Sequence, residues 1–279
     1  MSVNTVDVPM AVNAISALTI HGLITDSDGS SIPIMLHRTV APLDLVPFLS
    51  LAAYEEAPEP FIPRPPSTLP GSGDIHVQLI LAEEKGWGRS SFVHELNVLP
   101  TSTLPAHLPP IVLKVTRSKR RAEIAREAWF YDELECLQGV DSNPEWRFKD
   151  SKQLTEMSHS RNYVSVLLLE KMGGKLPIGV PLGDELVKGI YDMYGELAQL
   201  GVDHRDIRYS NMLAALQGST ALPSLPSPFT GRIYTHRMID IESCEKTNGE
   251  PRMLTRWQAS WVASIVKNLP KGDIIEPWD

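Results

Sequence analysis

The balance of apolar spacing shifts along this chain from mostly strand-like to mostly helical, and that shift limits the fold more than any other feature. Up to Glu170 the apolar groups come in short, partly β-branched runs: HVQLILAE (76–83), SSFVHELNVL (90–99), IVLKV (111–115) and YVSVLLLE (163–170). Alternating or continuous apolar runs of that length predict strands. One Ala-, Arg- and Glu-rich stretch, from about Lys119 to Leu137, predicts a helix that stops at Gly139. Further on the spacing becomes helical. Leu182, Leu186, Ile190, Met193, Leu197 and Leu200 form one stripe, and Leu254, Trp257, Trp261, Ile265 and Leu269 form another behind Pro251. Between them NMLAAL and RIYTHRMID read as short strands around a Pro/Ser-rich loop at 217–231. Strands first and helices later predict an α+β chain in two lobes.

The first 55 residues carry weaker signals. ALTIHGLI and PIMLHRTV flank Asp26-Ser27-Asp28-Gly29 and suggest a hairpin. Residues 57–73 (APEPFIPRPPSTLPGSG) read as a linker. The expected organisation is an N-terminal extension with its linker (1–75), a β-rich N-lobe (76–174) and a short, mostly helical C-lobe (175–279).

Charge narrows the function classes. The net charge of −8 disfavours general binding to nucleic acid or to an anionic membrane. No apolar run is long enough to span a bilayer, and no basic region precedes the N-terminal apolar residues. Two distant cysteines, Cys136 and Cys244, suggest neither a disulfide framework nor a zinc site. A cytoplasmic chain is expected, with the nucleus left open.

The most specific motif is His204-Arg205-Asp206-Ile207-Arg208-Tyr209-Ser210-Asn211, directly behind the 182–200 helix. It resembles the catalytic loop of protein kinases, His-Arg-Asp with Asn five residues after the Asp. The resemblance implies Asp206 as catalytic base, Asn211 as metal ligand, and Arg208 as a cation able to stabilise a transferred phosphoryl group. Met238-Ile239-Asp240-Ile241-Glu242 stands where the family keeps its Mg²⁺-binding Asp, which implies Asp240 as the second metal ligand. Asp-Ile-Glu replaces the Asp-Phe-Gly of protein kinases and is similar to choline and aminoglycoside kinases.

Further pieces follow in family order. Lys114, in IVLKV, resembles the strand lysine that contacts the nucleotide phosphates. An inward lysine between apolar neighbours needs a counter-charge. Glu123 and Glu127 both offer one. Glu127 is preferred because Tyr131 and Leu134 behind it match the family's helix register, and Glu123 stays open. Gly86-Trp87-Gly88 resembles the Gly-rich loop over the phosphates, without its third glycine. Leu169-Glu170-Lys171-Met172 resembles the hinge, where backbone groups of Glu170 and Met172 bond the adenine edge.

Residues 76–245 thus resemble the protein-kinase-like superfamily, most closely the divergent kinase-like proteins of fungi. The resemblance implies a two-lobed kinase-like fold. It implies ATP and Mg²⁺ as cofactors and transfer of the γ-phosphoryl group to a hydroxyl acceptor, a small molecule or a protein. The chain departs from the family behind Asp240: there is no Ala-Pro-Glu and no helical series to carry a peptide. Two alternatives stand beside it: a catalytically inactive kinase-like scaffold that binds nucleotide or a protein, and an interaction function in the N-terminal 75 residues that regulates the rest. A protein partner that completes the C-lobe is also left open.

Overall fold

The computed structural model describes residues 14–38, 74–87, 91–100, 107–116, 120–138, 145–149 and 165–275. The fold is mixed α+β. Seven strands make a closed barrel: β1 (Ile15–Thr25), β2 (Ser31–Arg38), β3 (Ile75–Trp87), β4 (Ser91–Val98), β5 (Ile111–Thr116), β6 (Glu145–Lys149) and β7 (Ser165–Glu170). Their order around it is β1-β2-β6-β7-β5-β4-β3. Neighbours run antiparallel except at the closure, where β1 lies parallel to β3 with Leu18 opposite Val77.

Helix α1 (Arg121–Glu133) follows β5 and is extended by a 3-10 turn, Glu135–Leu137. Beyond β7 come α2 (Asp184–Gln199), β8 (Val202–His204), β9 (Met212–Ala214), β10 (His236–Met238), β11 (Cys244–Lys246) and α3 (Pro251–Asn268). β9 pairs with β10 and β8 with β11, each antiparallel. No helix among the described residues is long and apolar enough to cross a membrane.

Two hydrophobic cores result. Ile20, Leu36, Leu79, Leu113 and Leu168 fill the barrel. Phe130, Tyr131, Ile190, Leu197 and Ile265 belong to the second core, under the helices. β7 serves both, since strand side chains alternate. Val166 and Leu168 point into the barrel, and Leu167 and Leu169 face the helical core. This explains why SVLLLE is apolar without a break.

Two expectations need correction. Residue 75 does not separate structural units, because β1 and β2 form the expected hairpin and then close the barrel against β3 and β6. The buried stripe of α3 is also rotated from the expected one. Leu254, Gln258, Val262 and Ile265 are buried, whereas Trp257 is 54% exposed. Gln258 takes the inward place because its Nε2 donates to Val202 O at 2.7 Å. The linker at 57–73 lies outside the described residues.

Candidate active site

The site grows from the alternation of β5. Ile111 and Leu113 point into the barrel, so Val112 and Lys114 point out of it, toward α1. On α1 Ile124, Glu127, Ala128 and Tyr131 are buried, with Leu134 at its C-cap, and form a stripe at helical spacing; Phe130 is buried beside it. Glu127 therefore meets Lys114, with Nζ to Oε2 at 2.6 Å. Glu123 sits one turn earlier, partly exposed, and pairs with Arg120 at 2.7 Å.

The Lys114 ammonium has further anionic neighbours. Asp240 Oδ1 lies at 2.7 Å and Glu242 Oε2 at 3.9 Å. Burial pulls the ammonium's pKa down, but Glu127, Asp240 and Glu242 outweigh it and hold Lys114 well above its ordinary value. Burial raises the Glu127 carboxyl against the pull of Lys114. For Asp240 burial acts upward too, yet Lys114, with His204 and Arg208, keeps it below the usual carboxylate range. Glu127, Asp240 and Glu242 present oxygens within 4.8 Å of one another, a set able to hold a metal ion. Asp240 sits at φ 59°, ψ 51°, the one non-glycine residue with positive φ among those described. Aspartate tolerates that left-handed region better than most residues, and such positions cluster at functional sites.

A second group stands beside the first. Asp206 takes two hydrogen bonds from Arg208, one from Nε to Oδ1 at 2.8 Å and a very short one from the second nitrogen to Oδ2. Asn211 Nδ2 donates to Asp206 O at 3.1 Å and to its Oδ2 at 3.2 Å. The two groups meet where Ile239 N donates to Asn211 O at 3.0 Å. His204 is fully buried edge-on to Tyr194, and burial lowers its pKa. Its Nδ1 accepts from the Asp206 N–H at 3.3 Å.

A cleft of about 650 Å³ opens over the Lys114 group, and the Asp206 group adjoins it through Ile239. Gly86, Val93 and Val112 line one wall, Leu213, Ile239 and Asp240 the other, and Leu169–Gly174 the back. Lys114 and Glu127 lie at its deep end. Glu170 also borders the cleft, with its side chain buried; burial raises that carboxyl to about 7, against Arg237 and the Leu222 N–H. Glu95 ties the mouth together, bridging Lys171 at 2.5 Å and Lys85 at 3.2 Å.

The structure thus gathers Lys114, Glu127, Asp240, Gly86, Glu170 and Met172 around one cleft, with Asp206, Arg208 and Asn211 adjoining. Gly88 lies outside the described residues. Sequence reading missed Glu242 as a partner of Lys114, although it stands two residues behind Asp240. It also missed Glu95 and the apolar walls Val93, Val112 and Leu213, which carry no motif. No protein-family model and no curated protein matches the chain.

Proposed function

We propose that this chain is an ATP- and Mg²⁺-dependent phosphotransferase with a two-lobed, protein-kinase-like fold, acting on a hydroxyl acceptor. One observation carries the reading. Lys114 is clamped between Glu127 and Asp240 in a cleft, and Ile239, which lines that cleft, ties it to the adjoining Asp206–Asn211 group.

The residues fit both cofactors. Apolar walls at Val93, Val112 and Leu213 suit a flat base. At the deep end three carboxylates face one ammonium, and that surplus of negative charge suits a divalent cation. Asp240 and Asn211 would hold Mg²⁺. Asn211 commits its Nδ2 hydrogens to Asp206, so its Oδ1 is the atom left to meet a cation. Lys114, steadied by Glu127, would turn from Asp240 to the nucleotide phosphates. Bound Mg²⁺·ATP supplies the phosphoryl group and the means of neutralising its charge. Asp206 would orient the acceptor hydroxyl and accept its proton on a carboxylate oxygen. Arg208 holds both of those oxygens in this structure, so it must first release one.

That same pairing favours a second reading. With both carboxylate oxygens held by Arg208, Asp206 is engaged within the protein rather than turned to an acceptor, which suits a nucleotide-binding scaffold. Two measurements separate the readings. Mg²⁺·ATP at a hundredfold excess over Kd should stabilise the fold by about 2.7 kcal/mol, and a chelator should remove most of that gain. Labelled ATP offered with small hydroxyl acceptors and general protein substrates should then yield a labelled product. Binding without transfer would favour the scaffold. No binding at millimolar Mg²⁺·ATP would end both readings.

A further inference from the structure

Lys246 is buried at the meeting point of three elements. It ends β11, and only 2% of its surface is exposed. Its Nζ donates to Glu133 Oε1 at 2.5 Å and to Leu200 O at 2.6 Å. Glu133 is the last residue of α1, and Leu200 is the C-cap of α2. Helix C-termini expose unpaired carbonyls and carry partial negative charge. An acidic residue at the end of α1 is therefore misplaced on its own, and the ammonium of Lys246 compensates for it while serving α2 as well.

The three elements are those that bear the site. α1 carries Glu127. α2 leads through β8 into the loop of Asp206 and Asn211. β11 follows the Ile241–Ser243 turn behind Asp240, and α1 packs against that turn. Along β8 and β11, Cys244 faces His204 and Lys246 faces Val202, so Lys246 is held in register with the start of the Asp206 loop.

We infer that Lys246 is a positioning residue that fixes α1 against α2 and β11, so that Glu127 reaches Lys114. This rests on the phosphotransferase reading for its catalytic meaning, though not for its geometry. A buried ion pair is weak evidence for stability, because an apolar residue of similar size often does as well. What the ammonium adds is direction: two acceptors, on two helices, at fixed angles to one strand. Glu133 is 20% exposed on its side chain, so without Lys246 it can turn to water and let the end of α1 move.

The test compares wild type, Lys246→Met, Lys246→Arg and Glu133→Gln by amide hydrogen exchange and by Mg²⁺·ATP affinity. Lys246→Met should speed exchange in 121–133 while α3 stays protected. It should also weaken Mg²⁺·ATP by about tenfold or more, since displaced site groups are costly. Lys246→Arg should restore much of both, and Glu133→Gln should act in the same direction but less. In a Glu127→Gln background the effect of Lys246→Met on affinity should vanish, because the residue through which it acts is already disabled. Unchanged exchange in α1 would overturn the inference, as would an equal rise in α3 or a full additive loss beside Glu127→Gln. If Lys246→Met does not fold, Glu133→Gln decides by the same measures. If wild type binds no Mg²⁺·ATP, the nucleotide reading fails, and exchange alone decides whether Lys246 holds α1.

Discussion

Lys114 Nζ lies 2.7 Å from Asp240 Oδ1, although 126 residues separate the two in sequence. The contact joins a barrel strand to the turn behind β10, and with the Glu127 pair it makes Lys114 the hub of the site.

Removing that hub should be expensive. Lys114→Met leaves Glu127 buried and opposed by two other carboxylates, and stripping one partner from a buried pair costs about 3–5 kcal/mol. Urea denaturation should show the loss, and adding Glu127→Gln should recover part of it. A Lys114→Met protein as stable as wild type would mean that water reaches Glu127 freely.

Asp206 and Asp240 should fail differently. Asp206→Asn should leave Mg²⁺·ATP affinity nearly unchanged and lower phosphoryl transfer by about 10² to 10⁴. Asp240→Asn should impair both, being a proposed metal ligand and a partner of Lys114. Transfer by Asp206→Asn at the wild-type rate would remove Asp206 from the chemistry.

Glu170 predicts a pH dependence. Its folded pKa is raised by burial to about 7, from an ordinary 4.5. Between these values the folded chain binds more protons than the unfolded one, so this carboxyl makes stability fall as pH rises. The whole effect amounts to about 3 kcal/mol. Melting curves from pH 5 to 8 should show the fall, and Glu170→Gln should lessen it. An unaltered slope would assign the titration to another group.

Glu196 should anchor the loop before β10. Its Oε1 accepts from Ser227 at 2.5 Å, Tyr234 at 2.6 Å and Thr230 at 2.8 Å, all far along the chain. Glu196→Ala removes three bonds to a charged acceptor, each worth about 1.5–3 kcal/mol at most and not additive. Limited proteolysis should then cut within 224–235, and Glu196→Gln should resist better. Equal resistance of Glu196→Ala and wild type would show that packing alone holds the loop.

The sequence was legible where chemistry and periodicity coincide. His204–Asn211, Lys114 and Asp240 stand out because charged residues interrupt apolar strands or follow a helix at fixed spacing. The choice of Glu127 over Glu123 rested on the family's helix register, since both fall on one helix face, and it is Glu127 that the buried stripe of α1 brings to Lys114. β8 and β11 were missed because VDH and CEK stand in no apolar run, unlike β9 and β10 within NMLAAL and RIYTHRMID. Gln258 and Trp257 exchanged their expected places because the Val202 carbonyl, far away in sequence, required a donor. The barrel closure was invisible for a similar reason: nothing in β1 announces a parallel partner across a proline-rich stretch.

That closure has a consequence during synthesis. β1 and β2 leave the ribosome first and can pair at once as a hairpin, but the barrel gains its last strand only with Ser165–Glu170. Until then the growing sheet has two open edges, the feature through which nascent chains pair with their neighbours. Slow barrel completion, with contacts this distant in sequence, makes the interval long. Truncation at residue 75 would make it permanent, leaving β3 and β6 each with one unpaired edge. A fragment cut at that proline-rich stretch should therefore aggregate where the longer chain does not.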